Sequence, residues 1–278
     1  MKRKLRIALA ALCAGVLIFC LARLAAIALD YRKTDRLYAD AAASFLTESA
    51  ASPAPVPEAA PAAVTKDTQA EPEETPPPET GAPEIRTPDP GFTVDFDALR
   101  ETNPDIIAWL YIEGTDISYP LLYGTDNSRY LSHAYDGSAS NAGSIFLDYT
   151  ASPDFSDLRS LIYGHRMNNG AMFGRLSDLD DADYLAEHSN VYLITPDGIL
   201  LYRIFAVHYA FTWEGFYGNA VTPAGFSVLL REILAASDVD TGIVPDTEDH
   251  IITLSTCSGR AKTQRFLAHA VLLYDCRT

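Results

Sequence analysis

The sequence IITLSTC at residues 251–257 is followed by SGRAKTQ at 258–264 and RFLAHAVLL at 265–273. Two apolar runs, the first rich in β-branched residues, therefore flank a polar segment with the composition of a turn, which predicts a β-hairpin. If the strands flank the turn symmetrically, Cys257 and Arg265 lie opposite each other at one end of the sheet. A thiol beside a fixed cation is a candidate nucleophile.

Short strand signals recur in the region before this hairpin. Pro196-Asp197-Gly198 is a hairpin turn signal between two of them. Short strands at this spacing, with few helices between them, favour a closed or nearly closed β-barrel over a parallel sheet. The predicted strands are Trp109 to Ile112, Ile117 to Leu122, Ser144 to Tyr149, Arg159 to Tyr163, Val191 to Thr195 and Ile199 to Ala210.

A few helices interrupt the strands. Thr222 is a candidate N-cap with Pro223 at the first helical position, and the apolar residues after it fall on one stripe that would dock on the barrel. Asn103 followed by Pro104 predicts a second helix start, continuing through Ile107. The stripe consists of Phe226, Leu229, Leu230, Ile233 and Leu234, and two shorter helices are predicted at Asp95 to Arg100 and Asp181 to His188.

The N-terminus has the pattern of a membrane segment. Lysines and arginines within residues 2–6 precede an uncharged run from Ile7 to Ala22, and apolar character resumes after Arg23 as far as Leu29. Positive charge before the span predicts that the N-terminus stays inside and the rest lies outside. We therefore interpret residues 1–30 as a basic cytoplasmic tail and transmembrane signal anchor. A secretory signal peptide cleaved near residues 26–28 is the alternative, and it also exports the domain.

A change of composition separates this anchor from the folded part. Residues 31–51 are alanine-rich and can continue as a helix, whereas residues 52–91 are mainly Pro, Ala, Glu and Thr. Such a segment cannot offset its ordering entropy, so we interpret residues 31–91 as a helical stalk and a disordered or semi-stiff spacer. It would hold the domain off the membrane or serve only as a boundary. Residues 92–278 are predicted to form one extracellular globular domain.

Charge and cysteine content exclude several classes of protein. The formal net charge of -16 over 278 residues argues against nucleic-acid binding, because phosphate contacts need clustered Lys and Arg. Of four cysteines, only Cys257 and Cys276 lie in the folded part, which excludes a disulfide framework and a cysteine-based zinc site. A single disulfide between these two remains an alternative to a reactive thiol.

A cysteine acyl-transfer enzyme also needs a proton carrier, and His165 is the strongest candidate among six histidines. It follows the predicted strand Arg159 to Tyr163 and precedes a loop, where catalytic side chains usually project. His208 and His269 lie within apolar strands and are interpreted as core or barrel-face residues. The remaining histidines, which we place at the surface, are His133, His188 and His250.

These motifs resemble those of the sortases, the cysteine transpeptidases of Gram-positive bacterial surfaces. Residues 253–257 (TLSTC) together with Arg265 resemble the sortase active-site signature, and residues 163–165 (YGH) resemble its histidine motif. Further similarity to class B sortases covers Phe92 to the C-terminus. It is carried by residues 103–131, by GSIFLD at 143–148 and by GAMF at 170–173.

The resemblance implies a mostly β fold: an eight-stranded sortase barrel with N-terminal helices and a helix between the sixth and seventh strands. It implies no metal and no other cofactor. The expected partners are surface proteins that carry a sorting signal and an amine acceptor, either a peptidoglycan precursor or a pilin lysine. The protein is expected at the cell membrane, with its catalytic domain on the extracellular face.

The resemblance also implies roles for the three principal residues. Cys257 would cleave an LPXTG-like sorting signal after its threonine through a thioacyl-enzyme, and a primary amine would then take the acyl group. His165 would exchange protons with the leaving and incoming amines. Arg265 would stabilise the oxyanion or hold the substrate backbone.

Three residues are candidate substrate contacts: Ser255, which shares the face of Cys257 by the two-residue strand period, Thr256 and Asn127. For Ser255 and Asn127, capping of backbone groups is an equally good interpretation. Two other functions stay open. One is a cysteine hydrolase that uses water as acceptor, and the other is a membrane-tethered binding module in which Cys257 is merely buried.

Overall fold

A computed structural model of the chain describes residues 2–49, 88–218 and 222–278, with side chains described from Leu12 onward. Eight strands form a closed barrel in the order β10-β8-β7-β3-β4-β5-β6-β9. Neighbouring strands are antiparallel except for the pairs β4/β5 and β6/β9, which are parallel. The barrel strands are β3 (Ile106–Ile112), β4 (Ser118–Tyr123), β5 (Ile145–Leu147), β6 (Arg159–Tyr163), β7 (Asn190–Thr195), β8 (Gly198–Phe211), β9 (Ile251–Cys257) and β10 (Gln264–Asp275).

The predicted barrel is confirmed, and so is the hairpin that decides it. Strands β9 and β10 pair with Cys257 directly opposite Arg265, and the pairing continues to Ile251 opposite Val271. The turn signal between β7 and β8 also closes a hairpin, in which Thr195 pairs with Gly198. Buried apolar side chains fill the barrel, with Trp109 among the largest; its indole nitrogen donates to the Ser118 hydroxyl at 2.9 Å.

Helix α4 (Pro223–Ala236) lies between β8 and β9, the sixth and seventh barrel strands, as predicted. The Thr222 side chain caps it by accepting a hydrogen bond from the Gly225 amide. Its apolar stripe packs with Ile251 and Val271 on the outside of the barrel wall. We call residues 212–250, which contain this helix, the insertion. Helix α3 (Ala182–Glu187) is also found where the sequence predicted it.

The prediction that a helix starts at Asn103 and Pro104 is wrong. Helix α2 (Phe96–Thr102) ends here, with Asn103 as its C-cap, and strand β3 begins at Ile106. The buried Asn103 amide donates to the Tyr135 carbonyl at 2.7 Å and its oxygen accepts from the Asp105 amide. Asn103 therefore fixes a turn rather than capping a new helix, because its oxygen binds the Asp105 amide while its NH₂ group is held by Tyr135, 32 positions away.

Helix α1 (Lys2–Phe45) is one continuous helix, and by length and composition it could cross a membrane. Its large apolar side chains from Leu12 to Leu29 are exposed. After that point the helix packs on the barrel domain, where the Tyr38 hydroxyl donates to the Gly143 carbonyl at 2.7 Å. The end of the helix, expected to be part of a stalk, is therefore packed on the domain through its buried residues Tyr38 and Ala41.

The described residues on either side of the Pro-rich segment pair with each other. Strand β1 (Leu46–Glu48) pairs with β2 (Phe92–Val94), and the Ser49 amide donates to the Gly91 carbonyl at 2.9 Å. The two ends of the Pro-rich segment thus lie side by side. The prediction of a spacer falls mainly on residues 52–87, which lie outside the described residues.

Candidate active site

Cys257 is the last residue of β9, and its thiol is exposed and free. Arg265 occupies the matching position on the neighbouring strand β10 and is half-buried. Cys276 is also a free thiol and lies just past the other end of β10, so a disulfide between the two cysteines does not form. The end of the β9/β10 hairpin therefore presents a thiol and a guanidinium side by side.

His165 reaches the same end of the barrel from strand β6. Because β6 and β9 are parallel with Tyr163 opposite Ser255, continuing the register by two residues brings His165 beside Cys257. The Gly164 amide donates to the Ser255 carbonyl at 3.1 Å, which extends the pairing past the end of β6. The fold thus gathers at one sheet end the three residues that the sequence singled out.

The hydrogen bond of the His165 ring defines how its two nitrogens differ. Nε2 lies 2.8 Å from the Leu131 carbonyl oxygen. A carbonyl only accepts, so Nε2 carries the proton in the neutral ring, and Nδ1 is the nitrogen that can take up another. The Phe173 amide donates to the His165 carbonyl at 3.0 Å and fixes the backbone of the same residue.

Arg265 is oriented by its own turn. Its Nη1 donates to the carbonyls of Lys262 at 2.8 Å and Gln264 at 3.1 Å. Within the described chain these are its hydrogen bonds, so Nε and Nη2 remain for a bound group. A guanidinium held on one side and open on the other suits the recognition of a carbonyl or an oxyanion.

The three predicted substrate contacts lie in different surroundings. Ser255 is buried on the face of Cys257, whereas the equally buried Thr256 alternates to the opposite face, where no described residue forms a hydrogen bond with its hydroxyl. The amide of Asn127 donates to Asp148 at 2.9 Å and accepts from the Tyr149 backbone at 3.0 Å. Both ends of Asn127 are therefore occupied, which favours its interpretation as a backbone cap.

Asp148, which the sequence did not single out as a site residue, anchors the strand end that carries His165. It accepts hydrogen bonds from Asn127, Thr150 and, at 2.9 Å, the Tyr163 hydroxyl. Burial raises the pKa of Asp148, but the hydrogen bonds from these partners outweigh it and the pKa is lowered overall. Asp148 therefore stays ionised and holds Tyr163, two residues before His165. In the sequence, Asp148 is marked only as the last residue of the GSIFLD stretch at 143–148, without a role in the site.

The 258–264 turn, which follows Cys257, is joined to the start of the insertion. The Thr212 amide donates to the Thr263 carbonyl at 2.9 Å, which joins the two. Further along, a 3₁₀ helix at Gly215–Tyr217 brings Tyr217 close to Ser255 and Arg265. Within the described residues, no three His, Cys, Asp or Glu side chains come together as metal ligands.

The class of protein follows from comparison with known families. Residues 110–273 match the sortase domain family, and the chain belongs to this family. Sortases are cysteine transpeptidases, and the matched region contains Cys257, His165 and Arg265.

Within the family the relatives are of class B. Sortase B of Listeria monocytogenes is 37% identical over 163 residues, which cover 57% of this chain and 65% of that protein, slightly less than two thirds of its length. Sortase B of Staphylococcus aureus is 25% identical over 163 residues, 58% of this chain and 67% of that protein. The X-ray structure of Clostridium perfringens sortase B superimposes with a TM-score of 0.62 at 27% identity, covering 65% of this chain and 100% of that one.

Proposed function

We propose that this chain is a membrane-anchored class B sortase that cleaves an LPXTG-like sorting signal after its threonine and transfers the protein to a primary amine. The observation that carries the proposal is the strand register. It brings Cys257, His165 and Arg265 to adjacent strand ends, with the thiol exposed. Nucleophile, proton carrier and oxyanion donor are the groups that acyl transfer requires.

In the first half-reaction, Cys257 loses its proton to His165 and its sulfur attacks the threonine carbonyl carbon. A C–S bond forms, and the carbonyl oxygen becomes an oxyanion beside Arg265. When this intermediate collapses, the C–N bond breaks and His165 protonates the departing amine. The products are a thioacyl-enzyme and the free C-terminal tail.

In the second half-reaction, the acceptor amine attacks the thioester carbon. A new C–N bond forms, the C–S bond breaks, and His165 takes the proton that the amine loses. The proton then returns to the cysteine sulfur, so the enzyme is regenerated without any external oxidant or reductant. In each half-reaction the same histidine first takes a proton and then gives it up.

The N-terminal helix supports a location at the cell membrane. Lysines and arginines lie before the exposed apolar stretch of α1, and the barrel domain follows it. The positive-inside rule then puts the N-terminus in the cytoplasm and the barrel outside. There the thiol would meet surface proteins that carry a sorting signal, and a peptidoglycan precursor would supply the amine.

The full-length chain in detergent provides the test, with a library of sorting peptides and an added amine such as triglycine. Cys257→Ala should abolish turnover, whereas Cys276→Ala, which removes the other thiol of the barrel domain, should leave it within about twofold of the unaltered chain. An active Cys257→Ala variant would refute the proposal. If added amine never enters the product, the hydrolase alternative replaces transpeptidation. A preference for lysine side chains over peptidoglycan amines identifies the pilin-polymerising alternative.

A further inference from the structure

A buried guanidinium lies in the wall of the barrel behind the candidate site. Arg159, the first residue of β6, is fully buried, and among the described residues it forms no ion pair. Burial lowers its pKa to about 10, so it remains charged at neutral pH. A buried charge without a carboxylate partner is costly and must be stabilised by hydrogen bonds. The positions of those bonds indicate what the residue is for.

Among the described residues Arg159 makes three hydrogen bonds, and two of them hold one turn of the insertion. Its Nη1 donates to the Gly218 carbonyl at 3.0 Å and its Nη2 donates to the Phe216 carbonyl. Both carbonyls belong to residues 215–218, which consist of the 3₁₀ helix Gly215–Tyr217 and the residue after it. We call this segment the 215–218 turn. Because one guanidinium donates to two carbonyls, it fixes both the position and the orientation of the turn.

The third bond continues into a chain of buried polar side chains. Arg159 Nε donates to the Thr253 hydroxyl at 3.1 Å, and that hydroxyl lies 2.9 Å from His269 Nδ1. His269 Nε2 lies 3.0 Å from His208 Nε2. The His208 ring packs edge-on against Phe216, with the ring centroids 4.5 Å apart. This row of buried side chains thus holds Phe216 at two points: Arg159 binds its carbonyl, and the His208 ring packs against its ring.

The 215–218 turn faces the strand that ends in the thiol. Thr253, Ser255 and Cys257 alternate onto one face of β9. Tyr217 lies over this face, with its buried hydroxyl beside the Ser255 side chain. The position of the 215–218 turn therefore decides where Tyr217 lies beside the strand that carries Cys257.

We propose that Arg159, Thr253, His269 and His208 are positioning residues, which set the 215–218 turn as a wall of the peptide groove and thereby control affinity for the sorting signal. The inference rests on the proposed function, because it assumes that the peptide lies along β9 beside Cys257. None of the four residues touches the reacting atoms. Loosening the wall therefore weakens peptide binding without changing the chemistry of the thiol.

Two matched Thr→Val variants of the full-length chain test this. Thr253→Val removes the hydroxyl that links Arg159 to His269. Thr241→Val removes a hydroxyl that donates to the Phe205 carbonyl at 2.8 Å, at the far end of the insertion. Thr253→Val should raise KM for the peptide about tenfold with kcat within about twofold, while Thr241→Val leaves both unchanged. Alkylation of Cys257 by iodoacetamide should proceed at the same rate in all three proteins.

Amide hydrogen exchange at residues 212–218 gives a readout that does not depend on activity. It should accelerate in Thr253→Val, and also in Arg159→Met, but not in Thr241→Val. If exchange in Thr253→Val equals that in Thr241→Val, or if the two variants share one KM, the positioning role is refuted. An unaltered chain that turns over no peptide would refute the proposed function, and the exchange data would still decide whether the network holds the turn.

Discussion

Arg265 approaches Cys257 from the adjacent strand, and two carbonyls of its own turn fix one of its nitrogens. The other edge of the planar guanidinium, with Nε and Nη2, is left with its N–H donors pointing in a fixed direction. The ammonium of a lysine carries the same charge but is a single rotating group on a flexible chain. The two residues are therefore not equivalent at this position.

We predict that Arg265→Lys lowers kcat about 100-fold, because the donors that face the developing oxyanion are lost while the charge is kept. Arg260→Lys is the matched control, since Arg260 lies in the same turn but packs over the Tyr209 ring, 3.7 Å from its centroid. Steady-state kinetics with a sorting peptide and an amine measure the effect. A kcat for Arg265→Lys within threefold of the unaltered chain would contradict the assigned role.

Residues whose partners are close in sequence were predictable, and those with distant partners were not. The opposition of Cys257 and Arg265 follows from a hairpin whose turn lies between them. Asp148 and Asn127 bind each other across 21 positions, so nothing local predicted that the amide of Asn127 is already used. His165 was predicted because a loop follows its strand and because residues 163–165 resemble the sortase histidine motif.

At the scale of elements, the strand pairs explain which predictions failed. The turn signals and the apolar stripe of α4 are local, and the helix begins and ends where they predict. The start signal at Asn103 failed because Tyr130 and Tyr135, some 30 positions away, bind its amide. His208 and His269 were correctly placed in apolar strands. Their contact depends on the β8/β10 pairing, which no single strand encodes.

The buried histidine pair makes the stability of the β8/β10 region depend on pH. Burial lowers the pKa of both His208 and His269, and Arg159 lowers both further, while Asp238 and Glu214 oppose the shift at His208. The rings are therefore neutral when folded but titrate near 6.5 when unfolded. The stability they contribute is complete above pH 6.5 and is lost as the pH falls below it.

We predict that the free energy of unfolding falls by about 1 kcal/mol per buried histidine for each pH unit below 6.5. His208→Gln should reduce this slope, because one of the two titrating rings is gone. His133→Gln, which replaces a partly exposed histidine outside the β8/β10 pair, should leave it unchanged. Urea unfolding at pH 7.5, 6.5 and 5.5 measures the slope, and identical slopes in all three proteins would refute the prediction.

At the scale of the whole molecule, α1 runs without a break from the apolar N-terminal stretch to the barrel domain. The Asp30 carboxylate accepts from Asn141 at 2.7 Å and the Asp35 carboxylate from Asn169 at 2.8 Å. Asn169 follows His165 in the same loop. These contacts link residues more than 100 positions apart. The local sequence of α1 does not show such contacts, so it predicted a stalk rather than a helix packed on the domain. Such packing fixes the direction of the last part of α1 relative to the barrel domain.

We predict that removing residues 1–29 leaves the stability of the barrel domain unchanged, since the apolar side chains removed are exposed. Removing residues 1–45 should lower the free energy of unfolding by about 3 kcal/mol or more, because it also removes the buried Tyr38 and uncovers Tyr119 and Tyr135. Urea unfolding followed by tryptophan fluorescence compares the two truncations. Equal stabilities would contradict the docking of α1.

The central claim is that Cys257 forms a thioacyl-enzyme with a sorting peptide, and intact-protein mass spectrometry tests it most directly. The full-length chain is mixed with an intact peptide that it cleaves, without added amine. Its mass should then increase by that of the peptide fragment ending in threonine, and the fragment should be attached to Cys257 alone. Adding amine should discharge it, and Cys257→Ala should never acquire it. Turnover with no such adduct, or an adduct that persists in Cys257→Ala, would contradict the account.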